Sequence, residues 1–100
     1  MLFQVTHKHS EQNCPGVFPD KLETYGRWWN EIKNTPGLKV LSGYVSPMDH
    51  TFYITVEADD NAVLARALGP LNAIGSGFTT PVITLDAAIP MADQGAFRPR

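Results

Sequence analysis

The stretch Leu2-Phe3-Gln4-Val5-Thr6-His7-Lys8-His9 decides how this chain is read. Successive side chains of a strand point to opposite faces, so an alternating stretch of this length predicts a strand over residues 1–9. Phe3, Val5, His7 and His9 share one face, and Leu2, Gln4, Thr6 and Lys8 share the other. The first face starts apolar and ends in two imidazoles. The only cysteine, Cys14, follows five residues after His9, in Ser10-Glu11-Gln12-Asn13-Cys14-Pro15-Gly16.

Working outward, Pro15, Gly16 and Pro19 break the chain across residues 10–19. Asp20 reads as a helix N-cap, with Glu23 completing an acidic variant of the capping box. Leu22, Tyr25, Trp29 and Ile32 then recur at helical spacing, with Trp28 off that stripe and free to widen it or meet a partner. Thr35-Pro36-Gly37 ends the helix. Residues 38–45 and 50–57 predict a hairpin around the turn Ser46-Pro47-Met48-Asp49. In its first arm Val40, Ser42 and Tyr44 alternate with Leu41, Gly43 and Val45. Asp59 or Asp60 caps a second helix carrying Leu64, Ala67, Leu68 and Leu71 on one face, kinked or divided at Gly69-Pro70. Gly75-Ser76-Gly77 reads as a loop, and residues 78–85 as a last strand that Pro81 marks as an edge or a bulge. Residues 87–100 show no clear period and read as an arm or disordered tail appended to a domain of residues 1–86.

Strand, helix, strand, strand, helix, strand is the α+β, ferredoxin-like βαββαβ plan. Right-handed crossovers place the first strand between the third and fourth, antiparallel to both. Two helices then cover one face of a four-stranded antiparallel sheet, and the other face needs a second subunit. Composition agrees. One hundred residues make one domain, and 43% hydrophobic against 18% charged residues leaves apolar surface in want of cover, which favours a homodimer or higher homo-oligomer. A net charge of −2 gives no electrostatic case for nucleic acid or an anionic membrane. No apolar run approaches a bilayer span, and no basic region precedes Leu2-Phe3 as an export signal requires. A single cysteine forms no internal disulfide, so the expected compartment is the reducing cytoplasm.

Layout and length resemble the dimeric α+β barrel superfamily, in which two such sheets face each other. Met1-Leu2-Phe3 with Val5 is also similar to the opening of the muconolactone isomerases, although no catalytic residue of theirs can be matched here. A closer likeness is to small proteins of this fold whose first strand ends in His-x-His followed by Cys-Pro, as His7, His9, Cys14 and Pro15 do. That likeness implies a fold and a site, and no activity.

Residues two apart on a strand lie about 7 Å apart on one face, a workable span for two imidazoles on one ion. Five residues of loop let Cys14 fold back toward them. The start of the third strand lies beside the end of the first, and His50 sits there. His7, His9, Cys14 and His50 therefore form the expected metal site. Imidazole with thiolate favours zinc or copper, with iron or nickel possible. Four protein ligands would make the ion structural, and three would leave room for catalysis. Asp49 and Glu11 are placed to orient ligands.

Competing readings are blander. His7 and His9 can be solvated strand-end residues and Cys14 a small buried hydrophobe. Cys14 as a nucleophile lacks any visible oxyanion hole. Tyr25 and Trp29 read as core, with Trp28 the better pocket or interface residue, while Tyr44 and Tyr53 can offer hydroxyls to the open sheet face. Gly75-Ser76-Gly77 lacks the lysine and helix of a phosphate loop. Two functional alternatives follow. One is a cofactor-free isomerase or monooxygenase-type enzyme acting on a small molecule in the barrel, with His7 or His9 as general base. The other is a non-catalytic dimerisation or ligand-binding module.

Overall fold

A computed structural model describes residues 1–99. Four strands form one antiparallel sheet: β1 (Leu2–His9), β2 (Leu38–Ser46), β3 (Thr51–Ala58) and β4 (Gly75–Val82). Their spatial order is β2-β3-β1-β4, which puts β1 in the middle, antiparallel to β3 and β4. Helices α1 (Pro19–Lys33) and α2 (Asn61–Leu68) follow β1 and β3, and α3 (Leu85–Asp93) follows β4. This is the ferredoxin-like α+β plan expected from the element order.

Phe3 and Val5 from β1, Ile54 and Val56 from β3, and Tyr25, Trp28 and Ile32 from α1 make the centre of the core, closed by Leu64 and Leu71. The buried stripe of α1 is therefore Tyr25-Trp28-Ile32, not the one running through Leu22 and Trp29. Leu22 is exposed, and Trp28 is anchored at both ends, its ring in the core and its Nε1 donating to the Ala67 carbonyl (2.8 Å). The helix also starts earlier than Asp20. Pro19 occupies its first turn, where a fixed φ and a missing N–H cost nothing, and Phe18 stands at the N-cap without a side-chain bond. Glu23 pairs instead with Arg27 one turn on (2.9 Å).

Asp60, the second of the two expected caps, accepts from the Val63 N–H (2.9 Å). Gly69-Pro70 divides the second helix, and a 3-10 segment, Gly69–Ala73, carries Leu71 into the core. The hairpin turn closes with Asp49 N–H on the Ser46 carbonyl (3.2 Å). In β2 the simple alternation fails at a bulge. Register shifts between Val40 and Ser42, so Val40 pairs with buried Val56 while Tyr44 pairs with Tyr53 on the open face.

Gly75-Ser76-Gly77 is not a loop but the first half of β4. Its glycines serve close approach to β1. A Cβ on Gly77 would run into the Thr6 carbonyl and stand 2.9 Å from His7 Cα, and one on Gly75 would lie 2.7 Å from the His7 ring. Pro81 is tolerated because β4 is an edge strand. Where no period was legible after residue 87, the chain forms α3, capped by Thr84 on Ala87 N–H (3.1 Å), with none of its residues buried.

Two glycine-to-alanine changes should have opposite signs. Gly77→Ala forces β4 off β1 and should cost about 1–3 kcal/mol. Gly26→Ala, in mid-α1 with open space where its Cβ would sit, should stabilise by about 1 kcal/mol. Urea unfolding of both variants checks the pair.

Candidate metal centre

β1 ends at His9, in the middle of the sheet. Its backbone N–H donates to the His50 carbonyl (3.0 Å), so the turn before β3 is tied to the end of β1. His50 holds a left-handed backbone, φ +51°, a conformation uncommon outside glycine and one that histidine enters more readily than most residues. Asp49 braces that turn. Thr51 Oγ1 donates to the Asp49 carbonyl (2.8 Å), and Lys8 Nζ reaches its carboxylate (3.4 Å). Hydrogen bonds from Lys8 and then Thr51 hold the Asp49 carboxyl below its ordinary range.

Cys14 comes from the other side. The 3-10 turn Glu11–Asn13 folds the chain back, and Cys14 is pinned through both backbone groups. Its N–H donates to Glu11 (3.4 Å), and its carbonyl accepts from Val17 (3.2 Å) and Phe18 (3.0 Å). The thiol is buried and makes no disulfide. One ligand atom each from His9, Cys14 and His50 lies within 4.8 Å of the other two. Zinc bonds of about 2.0–2.3 Å set ligand atoms roughly 3.3–3.8 Å apart in a tetrahedron, so the group has to draw in by no more than about 1.5 Å.

Satisfaction of hydrogen bonds points the same way. His9 is only 3% exposed, yet neither of its ring nitrogens has a partner, and His50 Nδ1 is also buried and unpartnered. A neutral imidazole carries one donor and one acceptor, and leaving such groups buried and unpaired costs about 1–3 kcal/mol each. An ion between the three side chains would take one nitrogen of each ring and remove that part of the cost. Burial first, and the neighbouring His50 ring second, lower the His9 pKa and keep it in the neutral form that binds metals.

His7 lies on the same buried face but outside this group. Its Nε2 shares a long hydrogen bond with Tyr25 Oη (3.4 Å), and its ring stacks on Phe52 (centroids 6.1 Å apart). Burial, then His9, lowers its pKa. Tyr25 is pushed up to about 12 by burial and by the neighbouring Cys14, so its hydroxyl stays protonated. Tyr25 and Phe52 pack edge to face at 5.1 Å and both flank the His9 ring, so they are part of the site although the sequence reads Tyr25 as plain core. The available signal was position. Tyr25 opens the buried i, i+3, i+7 series of α1, and Phe52 alternates with Ile54 on the face of β3 that opposes His7. Glu11 is exposed, and Asp49 is engaged with Lys8 and Thr51.

Beside these three side chains opens a cavity of about 490 Å³ between α1 and the β2–β3 half of the sheet, with His9 and Cys14 in its wall. No helix among the described residues is long and apolar enough to cross a membrane.

Fold and site together define a small α+β domain with a buried histidine–cysteine–histidine group at one end of its sheet. The chain belongs to the family described as a domain of unknown function (DUF3303), whose pattern matches residues 1–96. Comparison with curated proteins and with solved structures gives no match.

Both lowered histidines make stability depend on pH. Below the ordinary value of 6.5 an unfolded histidine takes up a proton that the folded one refuses, so stability is fully present above 6.5 and is lost as pH falls from there toward the lowered values. Urea midpoints of metal-free protein should fall between pH 7 and pH 5, and His7→Gln should make that fall shallower by removing one of the two protons.

Proposed function

We propose that this protein binds one transition metal ion per chain through His9, Cys14 and His50. The observation that carries the reading is the buried His9 ring, with two unpartnered nitrogens, packed within ligand reach of a buried thiol and a second imidazole. Imidazole with thiolate suits zinc or copper, with iron or nickel next. His7 takes the role of support, holding Tyr25 and Phe52 against the His9 ring. Three protein ligands fit a catalytic ion better than a structural one, since a structural site closes with four. Such an ion supplies Lewis acidity, polarising a bound oxygen and lowering the pKa of a bound water. The residues of the chain do the rest. They keep His9 neutral, shield the thiol from solvent and would hold the ion beside the cavity that His9 and Cys14 line. A reducing, cytoplasmic setting suits a protein whose one thiol is needed as a ligand.

We also place the protein as a homodimer. The open sheet face presents Tyr44, 72% exposed, and Phe78, 68% exposed, beside Tyr53. Stacked sheets about 10 Å apart bury such rings. Phe78→Lys should convert the dimer to monomer in size-exclusion chromatography with light scattering. A wild-type monomer overturns the dimer.

Elemental analysis of tag-free protein purified without chelator tests the metal. Near one equivalent per chain is expected. His9→Ala, Cys14→Ala and His50→Ala should each weaken binding by more than about 100-fold, because loss of a ligand exceeds the 10–100-fold cost of losing its support. His7→Ala should keep the metal at up to that lesser cost. X-ray absorption should show two nitrogens and one sulfur. No metal after reconstitution with zinc, copper, iron and nickel would falsify the reading.

A further inference from the structure

The cavity beside the ligand group has a chemistry of its own. Its walls are aromatic and apolar: Tyr25, Trp28 and Trp29 from α1 face Phe52 and Ile54 from β3. No lysine, arginine, aspartate or glutamate contributes to its lining. At about 490 Å³ it falls in the size range of small-molecule sites, roughly 300–1,000 Å³. His9 and Cys14 lie together in its wall, with the Tyr25 ring 5.7 Å from the His9 ring.

Two glycines line the space. Gly43 in β2 lets the Trp29 ring lie against the sheet, since a Cβ there would stand 2.5 Å from Trp29 Cη2. Gly26 is the more telling. It sits in the middle of α1, where glycine costs about 1 kcal/mol relative to alanine. It lines the cavity, and nothing lies within 4 Å of where its Cβ would be. Neither a turn, a positive φ nor a close neighbour calls for glycine there. It leaves that side of the helix bare against the cavity.

We propose that this cavity binds a small, uncharged, largely aromatic molecule, whose ring lies among Tyr25, Trp28, Trp29 and Phe52 and whose single polar group points to the His9–Cys14 end. Ring-on-ring contacts of the kind these walls offer add about 0.5–1.5 kcal/mol per pair beyond burial. In the metal-free protein the absence of any lysine or arginine in the lining selects against carboxylates, phosphates and sulfonates, which would enter without a counter-charge. The inference deepens the metal reading by naming the class of molecule that meets the ion. It rests on that reading only for what receives the polar group, because the cavity's walls are protein alone.

The test therefore uses metal-free protein, and 2-naphthol as probe against naphthalene-2-sulfonate, the same ring system carrying a charge. Binding is followed by the two indole N–H signals in nitrogen-15 correlation spectra. Saturable shifts of the Trp28 and Trp29 signals are expected with 2-naphthol, and at least tenfold weaker binding with the sulfonate. Gly26→Phe should fill the space and weaken 2-naphthol binding at least tenfold. Gly26→Ala, which adds only a methyl group in open space, should bind within threefold of wild type and controls for the helix. His50→Ala, at a proposed ligand outside the cavity lining, should also remain within threefold, which separates the cavity from the ion. Absence of saturable shifts, equal binding of the sulfonate, or Gly26→Phe binding like wild type while its spectrum is that of a folded protein overturns the proposal. Naphthol binding by a protein that takes up no metal on reconstitution would sink the metal reading alone.

Discussion

The pairing of β1 with two antiparallel neighbours is the constraint on which the rest of the molecule depends. It places one strand at the centre of the sheet, so Phe3 and Val5 can be buried under α1 and α2 while His7 and His9 continue along the same face to the sheet's end. It also fixes what arrives there. Pairing with β3 delivers His50 and Phe52, and pairing with β4 demands the close backbone approach that Gly75 and Gly77 permit. A slip of one residue would turn both histidines to the open face and replace them with Thr6 and Lys8. Register, more than any single contact, makes the site.

The site is a polar extension of the hydrophobic core. The rings of His7, His9, Tyr25 and Phe52 pack as a cluster continuous with Ile54 and Trp28, and imidazoles stand where further apolar side chains would have completed the interior. Burial of that kind strips solvent from titratable groups, which is why both histidines lie below their ordinary pKa and Tyr25 above its own. Within the cluster the two histidines differ. His7 shares a hydrogen bond with Tyr25, and His9 has a Cys14 and a His50 ligand atom within 4.8 Å of one of its nitrogens. Identical residues two positions apart thus take different roles because their neighbours differ.

The same economy governs the glycines. Gly75 and Gly77 are dictated by backbone approach, Gly43 by the Trp29 ring, and Gly26 by nothing that touches it. The first three are explained by packing, and the fourth lines the cavity. Outside this compact half, α3 carries Leu85 and Ile89 exposed, and the radius of gyration, 15.9 Å, exceeds the roughly 13 Å of a compact 100-residue domain.

By itself the sequence determined the order of elements, the face shared by Phe3, Val5, His7 and His9, the hairpin turn, and the convergence of His50 on the end of β1. Those follow from local periodicity and from chain topology, both of which are written residue by residue. Four things it did not determine. The buried stripe of α1 was rotated onto Trp28, because the helix packs across β1 and β3 at an angle that spacing alone leaves free. The Leu41 bulge turned Tyr44 outward, because one extra residue in a strand reverses every side chain beyond it. Gly75 and Gly77 joined a strand, because their need for space is set by the neighbouring β1 backbone. And Cys14 joined His9 and His50 while His7 turned to Tyr25, because the choice among four nearby ligands depends on where a helix on the other side of the core places one phenol.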